Sequence, residues 1–160
     1  MKDTIIDIIN RFEQTKDIND VDFDLVLNYY RKDIVDYIRI KNNRDFAICV
    51  LRKAINQRKD ENAGFTLEDL QFTAYLLAIH KYAADSLLIY EAKNTDFDTY
   101  CGFDIQLTVG GGVLETLNFL VHSDNNEAKK AIDYIKGCQK AGDFDDIDEY
   151  YSQTQLPWYI

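Results

Sequence analysis

Three features of this sequence predict an all-α protein. Its one proline, Pro157, lies among the last four residues, so no proline interrupts the chain before it. Apolar residues recur at i, i+3 and i+4 along most of its length, the spacing that lays one stripe down a helix. Strand-like alternation stands out in one place, Phe103 to Val109, and an isolated strand has nothing to pair with. The segments read as short helix–loop–helix units in a single helical domain over 1–160, packed as a bundle or as an irregular ankyrin- or armadillo-like array.

Ile5, Ile8, Ile9 and Phe12 stripe a first helix over 3–15. Asp20 is positioned to cap a second, whose inner face carries Phe23, Val26, Leu27, Tyr30, Ile34 and Tyr37, with a break near Arg31–Asp33. Phe46, Cys49, Val50 and Ala54 mark a third over 44–57, and the charged, aperiodic "QRKDENAGF" that follows is a turn. Thr66 and Asp69 then form a T-x-x-D variant of the capping box, opening a helix with Leu70, Thr73, Ala74, Leu77 and His80 on its stripe. "ADSLLIYEAKN" gives a further short helix, and Gly110–Gly112 introduce "VLETLNFLVHS". "NNEAKKAIDYIKGCQKAG" has Asn125 or Asn126 as cap and Gly142 as stop. A last short helix around Asp145–Ser152 precedes the tail "QTQLPWYI".

Composition narrows the class. A hydrophobic content of 46% in 160 residues is enough for a core without metal or disulfide staples, and it argues against disorder. Three scattered cysteines, with no CxxC, read as reduced thiols in a cytoplasmic protein. The N-terminus lacks the pattern of a signal peptide, and no apolar run is long enough for a transmembrane helix.

The net charge of −10 is unevenly placed. Residues 94–128 hold six acids and no Lys or Arg, and the last eighteen residues hold five acids and no base. Such a surface repels a nucleic-acid backbone and steers a basic protein toward itself.

Several chemistries can be weighed on the run "TDFDTYCGFDIQLTVGGG". Asp96, Asp98 and Asp104 are hard oxygen donors of the kind a metal-dependent hydrolase uses, but D-x-D without the remaining EF-hand positions is a loose pattern. The glycine triplet has no phosphate-binding lysine beside it, and Glu115 stands where a dinucleotide fingerprint needs its last glycine. Those glycines read as a flexible lead-in that lets a helix pack closely under the loop. A nucleophile would have to be Cys101 with His80 or His122, and no spacing supports that set. No cofactor or metal is expected, and no enzyme.

Aromatic residues interleave with these acids. Tyr90, Phe97, Tyr100 and Phe103 accompany the first acidic block, and Tyr150, Tyr151, Trp158 and Tyr159 accompany the second. Tyr and Trp bring large contact area at low entropy cost, and adjacent carboxylates pair with Lys and Arg. The residues expected to meet a partner are Asp96, Asp98, Tyr100, Asp104, Asp143, Asp145, Asp146, Asp148, Glu149, Tyr150 and Tyr151.

The run AK-x-x-x-FD-x-x-CG-x-D from Ala92 to Asp104, within Tyr90–Leu120, resembles the small acidic helical immunity proteins of bacterial toxin systems, including those of contact-dependent growth inhibition. The resemblance implies a stoichiometric inhibitor that binds a cognate toxin domain, often a basic nuclease, and masks its active site. Such proteins share no catalytic motif, so no residue role carries over. The expected function is therefore non-enzymatic neutralisation of a basic protein partner, without nucleic acid or membrane. A helical-repeat adaptor is the alternative, and a hydrolase using the three aspartates a further one.

Overall fold

The computed structural model describes residues 2–60, 62–152 and 154–160, and it is all-α. Ten α-helices and two 3-10 segments, with no strand, occur among the described residues. The chain divides into two compact units: the first runs to Leu77 and includes Tyr159–Ile160, and the second is Ala78–Trp158.

In the first unit, α1 (Lys2–Thr15), α2 (Asp20–Asn28), α3 (Arg31–Ile40), α4 (Arg44–Lys59) and α5 (Leu67–Ala78) follow the apolar stripes. Ile5, Ile8, Ile9 and Phe12 of α1 are buried as expected, with Phe12 edge-on to Phe46 at 5.3 Å. The cap of α2 is Asn19 rather than Asp20: its side chain accepts from the Asp22 N–H at 2.9 Å, and Asp20 instead pairs with Lys53 at 2.7 Å. Starting the helix one residue earlier puts Asp22 inside, where Arg11 donates two hydrogen bonds to it at 2.8 and 2.6 Å. The break between α2 and α3 falls at Tyr29–Tyr30, just before the predicted place. Thr66 and Asp69 form the reciprocal capping contacts their spacing predicts. His80 lies in the turn beyond α5.

The second unit runs through a 3-10 turn (Ala83–Asp85), α6 (Ser86–Lys93), α7 (Phe97–Gly102), a 3-10 segment (Ile105–Val109), α8 (Val113–Val121), α9 (Ala128–Ala141) and α10 (Ile147–Tyr150). Its core gathers Tyr90, Ile105, Val109, Leu120, Ala128, Ala131, Ile135 and Phe144. The alternating stretch after Phe103 coils instead of extending. Thr108 donates to the Ile105 carbonyl at 2.7 Å, and this coil buries consecutive residues Leu107, Thr108 and Val109, which a one-faced strand cannot do.

Gly111 lies so close to the Ala83 backbone that a Cβ would stand 2.4 Å from its nitrogen, and Gly112 adopts φ 103°. The triplet is thus the close-packing lead-in to α8 that the sequence predicts. Ahead of α9, Asn125 accepts from the Glu127 N–H at 2.8 Å and shapes the turn, so neither Asn125 nor Asn126 is the cap. Gly142 ends α9 with φ 88°, while the Asp143 N–H reaches the Cys138 carbonyl at 3.1 Å in a Schellman closure. Among the described residues, no helix is long and apolar enough to cross a membrane.

Candidate functional site

The acidic run opens as a helix cap. Asp96 precedes α7 in an extended conformation, and its carboxylate accepts from the Thr99 N–H at 2.8 Å and the Thr99 hydroxyl at 2.9 Å. α7 has only six residues, too few to hold itself in water. Its C-terminal end is secured by Lys93, which is 1% exposed and donates to the carbonyls of Tyr100 at 2.6 Å and Phe103 at 3.2 Å. A cation at a helix C-terminus satisfies orphan carbonyls and the negative end of the dipole together. The rings of Tyr100, Phe103 and Tyr134 surround the same ammonium at 5.1, 5.9 and 5.2 Å.

Sequence reasoning missed the role of Lys93, which entered only as a letter of the run from Ala92 to Asp104. A signal was present: position 93 follows Ile89 by four and Tyr90 by three, so it falls on the buried stripe of α6.

Beyond α7 the two acidic blocks meet. Tyr150 donates to the Asp104 carboxylate at 2.9 Å and Tyr151 to the Gln106 carbonyl at 2.8 Å. Gln106 in turn donates to the Asp143 carbonyl at 2.9 Å. These bonds fasten α10 and the end of α9 to residues 104–106 and frame a cleft of about 470 Å³. Asp104, Asp143, Asp146 and Glu149 contribute carboxylates to its lining, Leu156, Pro157 and Trp158 an apolar wall, and no Lys or Arg among the described residues lines it. Trp158 is 72% exposed.

The predicted partner residues thus separate into two places. Asp104, Asp143, Asp146, Glu149 and Tyr150 line the cleft, while Asp145 and Asp148 are exposed nearby in sequence. Tyr150 and Tyr151 use their hydroxyls within the unit, so they hold the cleft's shape. Asp96, Asp98 and Tyr100 belong to α7, where Asp98 is exposed and Phe97 is 79% exposed. Gln106, Gly142, Gln155, Leu156, Pro157 and Trp158 also line the cleft, none of them among the residues expected to meet a partner.

Burial raises the Asp104 carboxyl above its ordinary value, against the opposing pull of Tyr150 and Lys93. Burial lowers Lys93, with Cys138, Cys101 and Asp104 pulling the other way. It also pushes the Tyr134 phenol up to about 12. The Cys138 thiol is raised by burial and by the Asp143 carboxylate beside it.

Among the described residues, no three His, Cys, Asp or Glu side chains converge as a metal-holding group. Cys101 is an exposed free thiol, and the His122 ring nitrogen Nδ1 lies 2.8 Å from the Asn118 carbonyl. No protein-family model, no curated protein and no solved structure matches this chain.

Proposed function

We propose that this chain is a non-enzymatic, stoichiometric inhibitor of a basic protein, acting as an immunity protein acts on its cognate toxin domain. The observation that carries the reading is the cleft of the second unit, where four carboxylates and an exposed tryptophan line one concavity with no base among the described residues. The acidic field steers a cationic surface toward it. Trp158 supplies the large amphipathic contact typical of interface anchors, and Phe97 with Tyr100 on α7 supplies a second. Inhibition follows from occlusion and needs no cofactor. In this reading the protein works in the cytoplasm, where Cys49, Cys101 and Cys138 stay reduced.

The test is capture of partners from lysate at low salt, a salt-step elution, and titration of the recovered protein's activity, such as nucleic-acid cleavage. Loss of that activity at one equivalent is the expected result. A recovered protein that is acidic, or that keeps its activity in excess of this chain, contradicts the reading. The adaptor alternative draws on α8, whose Leu114 and Val121, two turns apart, are 71% and 62% exposed and offer a second surface. An adaptor leaves its partner active in the same titration.

A further inference from the structure

We infer that the cleft is an arginine socket, in which a segment of the basic partner places one guanidinium against the Trp158 indole and the carboxylates of Asp143, Asp146 and Glu149. This rests on the inhibitor reading and names the group that reading leaves open.

The volume, about 470 Å³, is that of a site for a side chain with its flanking backbone. Its two kinds of wall match the two halves of one residue. Leu156 and Pro157 suit the aliphatic stem of a long cationic side chain, and the carboxylates suit its charged head. Asp143, Asp146 and Glu149 are exposed and form no ion pair among the described residues, so the socket offers negative charge without an internal counter-ion. Trp158 is 72% exposed, so indole surface at the cleft is accessible to a cation.

Arginine fits better than lysine. Its planar fork reaches two carboxylates at once and stacks on an indole face, whereas an ammonium is a compact, strongly hydrated point charge. The acidic wall is set in advance by the Tyr150–Asp104 and Gln106–Asp143 hydrogen bonds, so docking has less of the cleft to order.

Trp158 is the chain's one tryptophan, so emission of the intact protein reports on the socket directly. The probes are the blocked peptide Gly-Arg-Gly-Arg-Gly, its lysine counterpart, and spermidine. The arginine peptide is expected to change the emission saturably. The lysine peptide should bind about tenfold more weakly, as should the arginine peptide with the Asp143→Asn/Asp146→Asn protein. Glu149→Gln gives an independent variant with a smaller loss of the same sign, and circular dichroism checks that each variant is folded.

No saturable change with the arginine peptide, equal responses to arginine peptide and spermidine, or indifference to both sets of substitutions overturns the socket. If the peptide fails while the protein still silences a basic partner at one equivalent, the socket alone falls. If the peptide binds and no partner is inhibited, the socket stands and the inhibitor reading falls.

Discussion

The two units carry the same number of acids and handle them differently. Each has fourteen Asp and Glu, but the first has twelve Lys and Arg and the second only six. In the first, acids meet bases: Asp22 is 4% exposed and holds Arg11 through two hydrogen bonds, Asp69 pairs with Arg31, and Asp20 with Lys53. In the second, the one fully buried base, Lys93, answers carbonyls and rings. Asp143, Asp146, Asp148 and Glu149 form no ion pair among the described residues. Paired acids hold the first unit together; in the second, Asp96 and Asp104 serve the fold while Asp146, Asp148 and Glu149 are left to an outward field, and net charge alone does not distinguish the two uses.

The largest effect that bears on this contrast is Lys93→Ala. It leaves two carbonyls and three rings around an empty volume and should cost about 3 kcal/mol in urea denaturation. A cost below about 1 kcal/mol would mean that buried charge does not organise the second unit. Gly111→Ala comes next. Its Cβ would meet the backbone of Tyr82 and Ala83, which cannot turn aside, so a loss of about 2 kcal/mol is expected.

In the first unit Asp22→Asn weakens the contact with Arg11 and should cost about 1.5 kcal/mol near neutral pH. Its pH dependence sharpens the comparison, because the two units run in opposite directions. The hydrogen bond from Arg11 holds Asp22 below its ordinary value of 3.8. Its stabilisation is complete above 3.8 and disappears as pH falls through the lowered value. Asp104 is raised above 3.8 by burial, so its contribution is complete below 3.8 and disappears as pH rises through the raised value. In melts across the acid range, Asp22→Asn should flatten the loss on the low side of 3.8 and Asp104→Asn the loss on the high side.

Helix existence was legible from apolar spacing, as α1 shows: the stripe Ile5, Ile8, Ile9 and Phe12 is the buried face. Caps were less legible, because Asn19 and Asp20 are both competent acceptors, and which of them caps depends on Arg11 being placed to receive Asp22. The stretch after Phe103 was ambiguous by period: alternation in five or six residues fits a strand and equally a 3-10 coil buried on several sides, and only the lack of a pairing strand argued against the first. At the candidate site, the acidic and aromatic character of both blocks was readable. Their meeting was not, since the Tyr150–Asp104 bond joins residues forty-six apart in sequence. Nor does composition reveal that Asp96 is committed to Thr99 while Asp146 and Glu149 are exposed without an ion pair among the described residues.

The smallest expected effect tests the central claim most directly: the urea midpoint of the Asp143→Asn/Asp146→Asn/Glu149→Gln protein at low salt. If these carboxylates serve a partner and not the fold, relieving their mutual repulsion leaves stability within about 0.5 kcal/mol of the parent, on the stabilised side. A drop in the midpoint as large as that of Asp22→Asn would contradict the account, because it would show that the cleft's acids hold the second unit together.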